Sequence, residues 1–213
     1  MNAPVIIGGI SAPDSELTRK AAGLVKKVHT KTLVNHLHRS WWFGEFMGRA
    51  RGLKYDRELL YLSALLHDLG FTKEYSADQR FEVDGANAAS RFLVENGYSQ
   101  EKANLVWDAI ALHSSIGIVE YRQPEVVLTS AGAVADAFGL RLQEITPELV
   151  DDVIQLYPRI GMKEAFTQAL AEVARKKPHL CMGTGLADIG RRHVHGFECG
   201  NLCDAIAHAP FES

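Results

Sequence analysis

The sequence predicts an all-α fold, and three observations carry that prediction. Apolar residues recur at the three- and four-residue spacing of a helix in one segment after another. Many of these segments open on Ser, Thr, Asp or Pro and close at Gly or ahead of Pro, as helix ends do. Runs of alternating β-branched residues are nearly absent. With 213 residues, 46% of them hydrophobic, the chain can bury one substantial core. No linker divides it, so residues 1–213 read as a single compact domain.

The first helical segment is "DSELTRKAAGLVKKV", with Asp14 or Ser15 as its N-cap. The second is "TLVNHLHRSWWFGEFMGRA". Asp56 caps the third, "RELLYLSALLHD", and Gly70 stands where a C′ glycine ends a helix. The fourth, "DGANAASRFLVEN", stops at Gly97, and the fifth starts near Ser99 with "KANLVWDAIALHSS". Pro124 suits the first turn of "PEVVLTSAGAVADAF" and Gly139 its end. Thr146 and Pro147 start "PELVDDVIQLY", and "MKEAFTQALAEVARKK" ends before Pro178. From 178 onward the tail, rich in Gly, Cys and His, is expected to be irregular with one short final helix.

Composition narrows the function classes. The net charge is −3, and Lys and Arg are scattered rather than striped, which argues against nucleic acid as a partner. The start "MNAPVIIGGI" lacks the basic flank and long apolar core of a signal peptide. Stretches such as "AGAVADAFGL" break well short of the roughly 20 residues that span a bilayer, so no membrane is expected. The three cysteines all lie after position 180, and an odd number argues against a disulfide framework. A cytoplasmic, reducing setting follows, with a homo-oligomer left open. The glycines of "IIGGI" are no phosphate loop, because no GK[ST] follows. "HVHGFECGNLC" gathers His193, His195, Cys199 and Cys203, but without a CxxC pair or finger spacing it reads as a reduced tail.

The chemistry concentrates elsewhere. In "SALLHDLGF" an apolar helix ends in His67 and Asp68. Adjacent side chains on a regular helix point about 100° apart, so both reach one ion only near a helix end. Taken alone, the pair better suits a hydrogen-bonded core histidine beside a solvent-facing aspartate, since two residues do not make a site. Other residues add weight: His36 and His38 in "VNHLHRS", His113 at the end of "WDAIALH", and Asp136 in "GAVADAFG". A carboxylate among Ala, Val and Phe is costly to bury unless charge or hydrogen bonds compensate it, and a metal ion does so. Two imidazoles and two carboxylates suit Zn²⁺, Mn²⁺, Fe²⁺ or similar ions and do not choose among them.

His36, then His67–Asp68, then Asp136 stand in the order H…HD…D, and this pattern resembles the HD-domain metal-dependent hydrolases. The resemblance implies a helical bundle with His36, His67, Asp68 and Asp136 as metal ligands between the helices. More narrowly, "NHLHRSWWFG", "LLHDLGFT", "RFEVDGANAA" and "AIALH" are similar to the cyanamide hydratase-like branch. That likeness covers about residues 30–140, with the C-terminal helices and tail packing on this core. It prefers His36 to His38, which lies two residues on, about 200° round the helix, and is expected to pack or support.

Two departures from the family pattern sharpen the expectation. Two-metal HD proteins carry an extra histidine shortly before a Gly-Ala pair; in "RFEVDGA" that place belongs to Phe81, which implies one metal per chain. Many HD phosphodiesterases carry HDxGK; here Phe71 replaces the lysine that would neutralise a phosphoryl group. The resemblance then implies a metal-dependent hydrolase or hydro-lyase in which activated water attacks a small molecule, nitrile to amide, as cyanamide to urea. Its metal is one divalent transition ion, zinc ahead of Fe, Mn, Co or Ni. Asp68 and His113 are the expected catalytic groups, and Arg39, Phe71, Phe81 and Glu82 the expected substrate pocket. Trp41 and Trp42 are assigned to the core ahead of the pocket. The alternatives are a phosphohydrolase of a nucleotide or small phosphoester, using Arg39, Lys73 or Arg80 for charge, and a non-catalytic metal- or ligand-binding module.

Overall fold

The structure, a computed structural model, describes residues 5–211. Among these, a two-stranded hairpin is followed by ten helices, so the fold is all-α apart from four strand residues. The hairpin pairs β1 (Ile6–Ile7) with β2 (Ile10–Ser11), Ile7 opposite Ile10. Gly8 and Gly9 turn it with φ of 56° and 73°, the left-handed pair that a two-residue hairpin turn requires.

Helices α1 (Glu16–Val28), α2 (Lys31–Ala50) and α3 (Arg57–Leu66) follow. Each opens on a side-chain cap: Ser15 Oγ accepts from the Thr18 amide at 3.2 Å, Thr30 Oγ1 from Leu33 at 3.4 Å, and Asp56 Oδ1 from Glu58 at 3.0 Å. Such caps each stabilise a helix by about 1 kcal/mol. Then come α4 (Phe81–Glu95), α5 (Gln100–Leu112), α6 (Pro124–Phe138), α7 (Pro147–Leu156) and α8 (Met162–Lys176). Pro124 occupies the first turn of α6, and Gly139, at φ 75°, ends it as expected. Helices α9 (Gly185–His193) and α10 (Leu202–Ala207) complete the chain.

The long helix α2 is buried along nearly its whole length from Leu33 to Gly48, because α6, α3 and α8 pack round it. Its apolar side chains Leu37, Trp41, Trp42, Phe43 and Met47 join Leu60, Leu62 and Leu66 of α3 in the main core. The α2–α6 crossing is unusually close. A Cβ on Gly132 would lie 1.9 Å from the Ser40 carbonyl oxygen, and one on Gly44 would lie 2.6 Å from that of Leu128. Only glycine lets these two backbones touch. A second, smaller core joins Phe81 of α4 to Val173 and Ala174 of α8 and to Leu186 and Ala187 of α9.

Three expectations need correction. Gly70 does not end α3 in a left-handed turn. Helix α3 stops at Leu66 and Gly70 lies inside a 3₁₀ turn, Leu69–Phe71, where a Cβ would meet the Phe81 carbonyl oxygen at 1.9 Å. The glycine serves close approach, not chain reversal. Helix α4 starts at Phe81, not at Asp84: the Asp84 carboxylate reaches back to the amides of Ala77 and Gln79 (2.8 and 3.2 Å) from within the first turn. In the tail, α9 forms where irregular chain was expected. Thr184 caps it, accepting from the Leu186 amide at 3.2 Å, and Leu186, Ala187 and Gly190 bury one face.

Candidate metal centre

Four helices deliver polar side chains to one buried point. His36 comes from α2, His67 and Asp68 from the end of α3, His113 from the end of α5 and Asp136 from α6. His67 is the last residue with helical dihedrals (φ −63°, ψ −29°), and at Asp68 the chain departs from them (φ −100°, ψ 13°). That departure lets two adjacent side chains turn toward the same place.

His67 and His113 are built alike. Each caps its helix and bonds through Nδ1 to the carbonyl three residues back, His67 to Ala64 at 2.8 Å and His113 to Ile110 at 2.6 Å. Because a carbonyl only accepts, Nδ1 must carry the proton, and Nε2 is left as a lone-pair donor. Both Nε2 atoms face Asp68: His67 lies 3.3 Å from Oδ2 and His113 4.0 Å from Oδ1. His36 Nε2 approaches the same Oδ2 at 3.5 Å.

Asp68 is 1% exposed, and its Oδ2 is buried without a hydrogen-bond partner. Burial raises its carboxyl above the usual range, against the lowering influence of His36, His113 and His29. Burial and the neighbouring His113 and His36 press His67 well below the usual imidazole range, so its ring is neutral. A buried carboxylate with an unpartnered oxygen, faced by the ring nitrogens of three histidines, lacks one thing, a cation. His36, His67 and Asp68 each offer one donor atom, all within 4.8 Å of one another, and this is the one such group among the described residues. The residues therefore fit a divalent ion. His193, His195, Cys199 and Cys203 form no comparable group, and all three cysteines are unpaired.

Asp136 stands outside that group of three, on the far side of His36. Its Oδ2 pairs with His36 Nδ1 at 2.6 Å, while Arg39 donates to both its oxygens, Nε to Oδ1 at 2.7 Å and Nη2 to Oδ2 at 2.9 Å. Arg159 donates to it as well. Burial alone would raise the Asp136 carboxyl, but the hydrogen bond and charge of His36, then those of Arg39, hold it well below the usual carboxylate range. The carboxylate thus fixes the His36 ring with Nε2 turned toward Asp68.

A cavity of about 670 Å³ opens off these donors. Phe71 and Phe81, stacked at 4.5 Å, form one wall, and Phe166 of α8 and Phe138 of α6 form another. Glu82, 2% exposed, lines it too; its Oε1 accepts from Arg80 Nη2 and from Ser114 Oγ, both at 2.6 Å. Burial would raise the Glu82 carboxyl, but Arg80, His113 and Ser114 outweigh it and lower it.

Phe71, Phe81, Glu82 and His113 all line this cavity. Arg39 does not: it is 0% exposed behind Asp136, its Nη1 held by the carbonyls of Tyr157 and Pro158 at 2.8 and 3.1 Å. Lys73 is exposed and lines no part of the cavity. Trp41 and Trp42 are core residues, 0% and 1% exposed. His38 stacks on Tyr157 at 4.8 Å, and burial, reinforced by Lys26, pushes its pKa down to about 4. Ser114, Arg159, Phe166 and Leu186 are site residues that sequence reasoning missed; nothing local marks Arg159, and Phe166 shows only as an apolar position of α8.

Residues 30–151 match the HD domain family, and the chain belongs to it. Fold, family and the His–His–Asp cluster together define an enzyme, a metal-dependent hydrolase of the HD superfamily. The chain is 26% identical over 184 residues to the cyanamide hydratase DDI2 of Saccharomyces cerevisiae, a match covering 84% of this chain and 81% of the relative. The cyanamide hydratase DDI3 of the same yeast matches to the same extent.

Proposed function

We propose that the protein hydrates a small neutral nitrile, cyanamide to urea in the simplest case. The observation that carries this reading is the charge of the cavity wall. Arg80 is the one cation among the lining residues, and it is already engaged by Glu82. With Asp68 engaged by an ion, the rest of the wall offers a phosphate dianion the Glu82 carboxylate and four phenylalanines, with neither Lys73 nor Arg39 within it. A neutral substrate bears no such desolvation cost.

His36, His67 and Asp68 would hold the ion, one per chain. Phe81, at the sequence position where the family pattern puts the additional histidine, supports the single site; its ring packs edge-on to His113 at 5.7 Å. We place zinc first, because imidazole and carboxylate are its usual catalytic ligands, with Fe, Mn, Co or Ni as alternatives. Asp136, the fourth ligand by family resemblance, enters this proposal through His36, whose ring it orients. When bound, a divalent ion here supplies Lewis acidity that brings the pKa of water from about 15.7 to about 7.

Hydration puts the water oxygen on carbon and both its hydrogens on the nitrile nitrogen, one in the addition that gives an isourea and one in its tautomerisation to urea, so a proton must be moved twice. Both oxygens of Asp136 are engaged, which leaves Asp68 and His113 for this task. His113, with Nδ1–H tied to Ile110, presents Nε2 to the cavity and is placed to accept a proton and give it back at the nitrile nitrogen. Glu82 accepts from the substrate's amino group, and the phenylalanines exclude bulk water. The unpaired cysteines suit a cytoplasmic enzyme, and the shared core of Phe81 with α8 and α9 suits one domain across residues 1–213. Urea release from cyanamide and phosphate release from nucleotide monophosphates, assayed on one metal-loaded preparation, test the reading. Urea without phosphate is expected; robust phosphate release without urea would replace the hydratase with a phosphohydrolase.

A further inference from the structure

A second cavity, about 760 Å³, lies between the hairpin, α1 and α2 and shares no lining residue with the metal pocket. Its size is that of a small-molecule site. Tyr157, half-buried, with Tyr61 and Val34, gives it an apolar, aromatic floor beside the buried His38, and Trp42 closes the floor from beneath. Its cations are Lys26, Lys31 and Arg19; its one carboxylate, Asp14, is paired with Arg19 at 3.0 Å. The two lysines have no ion-pair partner among the described residues, so the cavity carries net positive charge. His29, also on its wall, buries Nε2 without a hydrogen-bond partner.

An independent observation comes from Gly23, in the interior of α1 and on the cavity wall. Glycine weakens a helix interior, and it is used where φ is positive or where something comes too close for a Cβ. Neither reason applies within the protein. Gly23 is not among the positive-φ glycines, and a Cβ there would meet nothing within 4 Å. Gly44 and Gly132, by contrast, each hold off a neighbouring backbone. Gly23 is exposed, and the space a Cβ would take there is open at the cavity wall.

We propose that this cavity is a second ligand site, which takes a free small organic anion with a flat apolar body, its acid group between Lys26 and Lys31 and its body on the aromatic floor beside Gly23. The positive rim selects the charge. The aromatic floor selects a flat body over an inorganic ion.

Calorimetric titration of the full chain with 1-naphthoate and 1-naphthyl phosphate, against the neutral 1-naphthylmethanol, tests this. The anions should bind at least tenfold more tightly than the alcohol. Lys26→Ala and Lys31→Ala should each weaken the anions several-fold and leave the alcohol unchanged. Gly23→Phe should abolish anion binding while metal content and urea formation stay as in the parent, since the added ring enters open space. The metal-free protein, after chelation, should bind the anions as well as the loaded one. Equal binding of the alcohol, unchanged binding by Gly23→Phe, loss of binding on chelation, or no binding at millimolar probe would each overturn the proposal. None of these outcomes depends on whether the metal pocket hydrates nitriles.

Discussion

The two cavities border opposite sides of α2, and two histidines two residues apart divide between them. His36 faces the metal pocket with a carboxylate at each ring nitrogen, Asp136 at 2.6 Å and Asp68 at 3.5 Å. His38 faces the α1 cavity with a tyrosine ring stacked on it and Lys26 as its charged influence. Both imidazoles are buried, 1% and 9% exposed. Burial therefore does not separate a metal ligand from a packing residue; the sign of the surrounding charge does. Carboxylates around the first make it a partner for a cation, and the lysines near the second leave a site fit for an anion.

The comparison breaks most easily at the metal pocket. His67→Ala or Asp68→Ala should remove metal retention and reduce urea formation to background, with the α1 cavity still binding naphthoate; elemental analysis and calorimetry on one preparation report both. An Asp68→Ala protein that kept its metal would show that the donor set lies elsewhere. His113→Ala should retain the metal and lose about 10²- to 10⁴-fold in turnover, the range of a positioned acid–base group. Unchanged turnover would reduce His113 to a packing residue.

Asp136→Asn distinguishes the two roles open to that carboxylate. If it acts through His36, metal affinity should fall about 10- to 100-fold, as when an outer partner of a ligand is lost. Complete loss of metal in competition with a chelator would make Asp136 a direct ligand. The smallest effect on the metal pocket is expected from His38→Ala, which removes a ring stacked on Tyr157 and no metal donor: metal content per folded chain and turnover should stay near those of the parent. Loss of metal in that variant would exchange the assignments of the two histidines.

Most of the fold was legible in the sequence because its helices carry their own punctuation. Ser15, Thr30, Asp56 and Ser99 cap the helices they precede, and Gly139 ends α6 in the left-handed region. Gly70 was misread because sequence does not tell a glycine that reverses the chain from one that makes room for a neighbour. The trio His36, His67 and Asp68 was legible by family pattern and by the oddity of polar residues in apolar helices. What closes round it was not. Arg39, one turn from His36, turns to Asp136 instead of the substrate, and Arg159, Phe166 and Leu186 arrive from segments far along the chain. Their positions depend on how α6, α8 and α9 dock, which no local pattern states.

The crossing of α2 and α6 has a consequence for how this sequence can drift. Three pairs face each other along it in steps of one turn: Gly44 with Leu128, Ser40 with Gly132, and His36 with Asp136. The first two pairs touch through main-chain atoms, whose radii do not vary with rotamer or with the choice of core side chain. The spacing of the third pair is inherited from them. Leucines, valines and alanines elsewhere on these helices can be exchanged over many generations while His36 and Asp136 stay in register. One added methyl at position 132, remote from any ion and altering no charge, separates the helices at the point from which that register is measured.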